Sequence, residues 1–173
     1  VLAYFLMNEK LRVVGRIVET PDPAAAVQAL LAGPTSEETT AGMVTLIPAG
    51  TEMLSVMITG REVRVDLTGV FASGGGSMSV LGRLAQMVFT LTQFEGIDTV
   101  RFSLDGEPIT QITGEGVGVD GVTRSTFTDM APLVLLEHPY HDETVSQPIR
   151  IAGRSNTFEA TVYYEVLAAD GVK

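Results

Sequence analysis

Apolar and polar positions along this chain follow two periods, and the switches between them mark its elements. Val1 to Met7 is an unbroken apolar run holding Tyr4 and Phe5, which predicts a strand covered on both faces. Asn8-Glu9-Lys10 reads as a turn, and Leu11 to Val18 as the returning strand. Asp22-Pro23 then starts a helix, with Asp22 as cap and Pro23 at the first position. Val27, Leu30 and Leu31 form its apolar stripe, and Gly33-Pro34 stops it. Thr35-Ser36-Glu37-Glu38 has the capping-box pattern of a short helix running to Gly42. Alternation returns at Leu54, Val56 and Ile58, and after Gly60-Arg61 at Val63, Val65 and Leu67. This is a hairpin whose other face, Glu62, Arg64 and Asp66, is polar. The longest helix opens at Ser77 or Ser79 and ends at Gly96. Leu81, Leu84, Val88 and Leu91 are its stripe, widened by Met78, Ala85 and Thr92. Val100, Phe102 and Leu104 close the pattern as a strand before the Asp105-Gly106 turn.

The order strand-strand-helix-strand-strand-helix-strand predicts an α+β fold. We expect a two-layer sandwich, a mixed or antiparallel sheet of about five strands with the helices on one face. Leu84 and Val88 should be buried with Val56, Val65 and Phe102. Residues 111–131 are glycine-rich and read as a linker or extended loop. Beyond Pro132 the texture is all-β, with strands expected at Leu133 to Glu137, Pro148 to Ala152 and Phe158 to Leu167. In the last, Phe158, Ala160, Val162, Tyr164 and Val166 share a face that needs cover from other residues or another molecule.

Composition narrows the function classes. The 173 residues are 45% hydrophobic, with mean hydropathy +0.27, enough for a core. No run approaches the roughly 18 apolar residues of a membrane span. Formal charge is −10, from 21 acidic against 11 basic side chains, which argues against nucleic acid or anionic lipid as partner. Cysteine is absent, so disulfides, cysteine-ligated metals and thiol nucleophiles are excluded. The chain opens at Val1 without Met or a charged apolar leader, so we expect a piece of a longer protein, with any export signal upstream.

Candidate chemistry is sparse. Gly74-Gly75-Gly76-Ser77 ahead of a helix suggests an anion cradle, but the P-loop lysine and dinucleotide spacing are missing, so a capped tight turn is the better reading. Gly75-Gly76-Ser77-Met78-Ser79 lacks the last glycine of a nucleophile elbow, and both histidines lie far off. His138, His141, Asp142 and Glu143 surround Pro139 without a recognisable ligand spacing and read as a solvated turn. The pairs Asp66 with Glu62 and Asp105 with Glu107 sit at hairpin and turn positions that explain them without acid–base work. No catalytic, cofactor-binding or metal-ligating set is assigned; the candidate ligand or partner surface is Gly74, Gly75, Gly76 and Ser77.

Two segments carry a family resemblance. Ala25 to Thr35, with its Leu-Leu-Ala-Gly-Pro-Thr ending, and Phe71 to Ser77 with the helix to Phe94, resemble the GerMN domain of spore-germination and sporulation proteins. The stretch His138 to Ile149 and the later Gly153 to Ala160 resemble the immunoglobulin-like Gmad-type domain of germination proteins, with His-Pro-Tyr-His-Asp-Glu in place of the usual Pro-x-Pro-Gly-like turn. The expected organisation is therefore a GerMN-like domain over 1–110, a linker over 111–131, and a partial Gmad-type domain over 132–173. A full immunoglobulin-like sandwich needs about seven strands and roughly 100 residues, so the second domain is expected to be truncated. The resemblance implies a non-catalytic, extracytoplasmic module in the envelope of a Gram-positive bacterium, on a lipoprotein or sporulation protein. It implies assembly with other envelope proteins or self-association, no nucleic acid, and membrane contact only through an upstream lipid anchor. The alternative is a receptor for a cell-wall fragment or sugar, with its pocket near Gly74 to Ser77 and Thr45 to Thr51.

Overall fold

The apolar opening run forms β1 (Leu2–Met7), and β2 (Lys10–Gly15) returns antiparallel to it. Asn8 and Glu9 both take positive φ between the paired Met7 and Lys10, the backbone twist that a two-residue hairpin requires. The structure, a computed structural model, describes residues 1–112, 116–140, 143–157, 159 and 161–167. β2 stops short of the expected Val18. Arg16 N–H still reaches Val1 O at 2.8 Å, and beyond it Ile17 lies fully in solvent.

α1 (Pro23–Leu31) is capped as expected, Asp22 accepting from Ala25 N–H at 2.8 Å, and it buries Ala26, Val27 and Leu30. α2 (Ser36–Thr40) has the complete capping box between Thr35 and Glu38. β3 (Met53–Thr59) and β4 (Glu62–Leu67) form the hairpin, and α3 (Ser77–Leu91) carries the chain across to β5 (Thr99–Leu104), parallel to β4. β6 (Glu107–Ile109) follows β5 after a tight turn, giving the mixed sheet order β3-β4-β5-β6. Val63, Val65 and Leu67 are buried under the helices, while Glu62, Arg64 and Asp66 keep the second face polar. The fold is α+β, with helices covering one face of this sheet.

Two expectations need correction. The strands do not join one five-stranded sheet, because β1–β2 is a separate hairpin packed on α3 and α1. As a result α3 is wrapped by β1, α1 and a later 3₁₀ segment. It is buried at Val80 and from Gly82 to Leu91, far beyond the expected stripe, while Met78 is exposed. Leu84, Val88, Val65 and Phe102 do share one core, with Val56 packed against it. Leu54 and Ile58, however, are half exposed, at 49% and 53%. β3 is an edge strand, and its ladder is bulged between Met53 and Ser55, so the alternation fails there.

Residues 111–131, expected as a linker, supply core side chains that include Ile112, Val119, Val122, Phe127 and Met130 among the described residues. β7 (Gln111–Ile112) pairs with β8 (Val117–Gly118), Val122 bridges to Val100, and the 3₁₀ segment Arg124–Met130 packs on α3. Sparse apolar residues suffice because each lands on surface that the first domain leaves open.

β9 (Val134–His138) pairs with β10 (Ala152–Ser155). The second strand thus starts beyond the expected Pro148, whose nitrogen has no hydrogen to donate. Gly153 crosses Leu135 so closely that a Cβ would lie 2.2 Å from its carbonyl oxygen. The third expected strand is not formed over 161–167, and Val162, Tyr164 and Val166 are exposed; Phe158 and Ala160 lie outside the described residues. Residues 161–167 form no strand pairing among the described residues.

Candidate functional site

Three places in the fold hold polar groups in non-routine settings. The first is the glycine-rich turn. Arg83 projects from α3 and is fully buried, and no carboxylate pairs with it among the described residues. Its guanidinium donates to Phe71 O at 2.6 Å, Ser73 O at 2.8 Å and Gly74 O at 2.7 Å, and to Ser79 Oγ at 3.0 Å. Burial lowers its pKa from the ordinary arginine value. The turn therefore spends its carbonyls on an internal cation. Gly74 and Gly75 take positive φ, and a Cβ on Gly75 would lie 2.5 Å from Ser79. Gly76 caps α3 without a side-chain bond. The Thr45 to Thr51 stretch is engaged too: Thr45 Oγ1 accepts from Gln86 Nε2 at 3.3 Å, and Thr51 Oγ1 donates to Pro48 O at 2.7 Å.

The second is a polar hub where the C-terminal hairpin meets the first domain. Tyr4, buried in β1, donates its hydroxyl to Glu137 of β9. Arg124 Nη1 donates to Glu137 Oε1 at 2.6 Å, Nε to Thr92 Oγ1 at 2.7 Å and Nη2 to Phe89 O at 3.0 Å, and the guanidinium lies 4.7 Å from the Phe89 ring centroid. Burial pushes the Tyr4 phenol far above its ordinary value, chiefly against the pull of Arg124. Burial also pushes Glu137 upward, but the Tyr4 bond, the Arg124 charge and bond, and the more distant Arg154 charge outweigh it, so its pKa ends low. Tyr4 thus stays a neutral donor and Glu137 an anion.

A cleft of about 530 Å³ opens over this hub. Phe89 and Leu135 lie in its floor with Arg124, and Lys10, Arg154 and Asn156 stand at its rim.

The third place is the set of sheet edges. The outer edge of β1 is occupied by side chains of α3 and of the turn just after it: Leu2 N–H donates to Gln93 Oε1 at 2.7 Å, Gln93 Nε2 returns to Leu2 O at 2.7 Å, and Gln86 Nε2 donates to Tyr4 O at 3.0 Å. Leu6 is bridged by Val44. β6 carries Pro108 on the opposite edge of the main sheet. β3 has no such cover: its outer edge has no strand partner among the described residues, it bears no charged side chain, and Leu54, Met57 and Ile58 are about half exposed.

The sequence-level candidates have structural uses here. Glu62 pairs with Arg101 at 2.7 Å, Asp66 accepts from Gly106 N–H at 3.1 Å, and Asp105 accepts from Gly69 N–H at 3.1 Å. His138 lies 3.5 Å from Glu143, and His141 and Asp142 lie outside the described residues. Among the described residues no group of three or more His, Cys, Asp or Glu converges on a metal-sized site, and no helix is long and apolar enough to cross a membrane. Arg83, Gln86, Gln93 and Arg124 escape a reading of periodicity. Gln86 and Gln93, seven apart beside the stripe of α3, are the one available signal.

No curated protein matches this chain. Residues 3–110 match the Germane family, described as sporulation and spore germination, and residues 133–173 match Gmad2, the immunoglobulin-like domain of bacterial spore germination. The tandem GerMN domains of the sporulation protein GerM from Bacillus subtilis align with TM-score 0.60 and 20% identity, over 72% of this chain and 46% of that one. This chain thus spans about half of that protein's length. The first GerMN domain of the same protein gives TM-score 0.59 at 22% identity, over 72% of this chain and 98% of that one. A candidate lipoprotein from Clostridium perfringens gives 0.55 at 16%, over 76% and 91%. At these identities the likeness to the solved structures is one of fold. With residues 3–110 matched, the chain belongs to the sporulation and spore germination family, on a GerMN-type fold with a Gmad2-type immunoglobulin-like region after it.

Proposed function

We propose that this protein is a non-catalytic assembly module of the bacterial envelope, held outside the cytoplasmic membrane as part of a lipoprotein and joined to other proteins through the open edge of β3. The observation that carries this reading is the contrast between edges. Soluble proteins protect sheet edges with charges, proline or covering side chains. Here β1 is covered and β6 is interrupted by proline, whereas β3 offers seven uncharged residues. The envelope location rests on the family and on the description of the Clostridium perfringens neighbour.

The simplest partner is β3 of a second copy, antiparallel about Val56. Arg64 lies beside Met57 and Asp66 beside Ser55. That register sets Met57 against Ser55 of the other copy, so the outer-face row runs from an arginine to an aspartate with no like charges meeting. Two copies of net charge −10 repel, so association should strengthen with salt. Light scattering over a concentration series should show a dimer that Met57→Lys dissociates without lowering the melting temperature. A protein that is monomeric at every concentration and salt, or a Met57→Lys variant that dimerises unchanged, would overturn pairing at β3.

A further inference from the structure

We propose that the cleft between the first domain and the β9–β10 hairpin binds a small organic anion with an apolar body. This inference does not rest on the assembly reading, since β3 lies elsewhere. Three of the chain's eleven Lys and Arg side chains, Lys10, Arg124 and Arg154, line this one cleft, against a single lining carboxylate, Asp129. In a chain of net charge −10, the local sign is reversed.

The cations have different roles. Arg124 is locked by Glu137, Thr92 and Phe89, with its charge balanced by Glu137, so it fixes the floor while Lys10 and Arg154 carry the unbalanced positive charge. Lys10 is half committed, donating to the Asp129 backbone oxygen. Arg154, exposed on β10, makes no side-chain hydrogen bond or ion pair among the described residues, though its charge helps hold Glu137 ionised. A free guanidinium beside the cleft suits a carboxylate or phosphate, which it can grip with two parallel bonds. Ala131, Pro132 and Leu133, above the buried Phe89 and Leu135, offer an apolar surface, and the volume is that of an ordinary small-molecule site. Charge at the rim over an apolar floor selects an amphipathic anion over a neutral molecule or a cation. The groups come from β2, α3, the 3₁₀ segment, β9 and β10, so the site exists only while the hairpin is seated on the first domain. Occupancy would hold the two together.

The test compares 4-phenylbutyrate with its uncharged amide, titrated into the isotope-labelled protein and followed by amide chemical shifts. The acid should give saturable shifts around residues 124–135 and 152–156, and the amide should bind about tenfold more weakly or less. Arg154→Gln should weaken the acid about tenfold, leave the amide unaffected and lower the melting temperature only slightly, because Arg154 is exposed and acts on Glu137 from a distance. Equal affinity for acid and amide, shifts centred elsewhere, or no saturation up to about 10 mM would overturn the proposal. Loss of dimerisation in Met57→Lys with the acid still binding would separate the fate of this site from that of the β3 reading.

Discussion

Glu137 shows how one side chain joins two parts of the molecule. Its carboxylate is shared by the Tyr4 hydroxyl and the Arg124 guanidinium, and its pKa is low in the folded protein. A carboxyl group with a depressed folded pKa adds stability that is complete above its unfolded value of about 4.3 and is lost as pH falls through the folded one. Glu137→Gln should therefore cost roughly 3 kcal/mol at neutral pH, by leaving Arg124 without its counter-charge. It should also flatten the fall in melting temperature between about pH 5 and 3. Glu38, held low first by its bond from Arg16, keeps part of that slope. Thermal melts across the acid range check both; an unchanged slope would remove Glu137 as the linked group. Nothing in the spacing of Tyr4, Arg124 and Glu137 foretells the hub, since its members lie up to 133 positions apart.

At the scale of elements, helix α3 is the organiser. Its apolar stripe is legible because burial against a sheet demands a 3.6-residue period. Its other faces are buried by elements distant in sequence, so Arg83, Gln86 and Thr90 sit at positions that periodicity marks as solvent. Gln86 replaces a neighbouring strand for β1, accepting from Leu46 N–H at 2.8 Å while donating to Tyr4 O. Gln86→Ala should leave those backbone groups unpaired in the core and cost about 2–4 kcal/mol, counting roughly 1–3 for an unsatisfied group and some lost packing. Hydrogen exchange would report it as loss of protection in β1 before the main sheet. Equal protection across both would mean that β1 does not depend on the glutamine. The capping signals around α1 and α2 were readable for the opposite reason: they act within four residues and need no distant partner.

At the scale of the whole molecule, the C-terminal hairpin and the glycine-rich stretch before it are parts of one packed body. Leu135 joins the same core as β1 and α3, and Arg124 bonds to both sides of the junction. The described chain should therefore melt in one transition, and Arg124→Ala should lower it by roughly 3–5 kcal/mol of stability. Calorimetry showing two separate transitions in the parent protein would refute that coupling.

Whatever rests on local rules is legible in the residues alone: a turn within Asn8-Glu9-Lys10, the caps at Asp22 and Thr35, the order of strands and helices, the α+β class and the family. These follow from backbone geometry and periodicity within a few residues. Tertiary structure alone decided how the strands divide into sheets, which polar side chains are buried, which edge stays open and where cations gather. Each of those depends on which surfaces meet across the chain. Burial of Arg83 needs carbonyls from a turn ten residues upstream, and the cleft needs groups from five separate elements. Folding brings such groups together, and periodicity carries no record of the meeting.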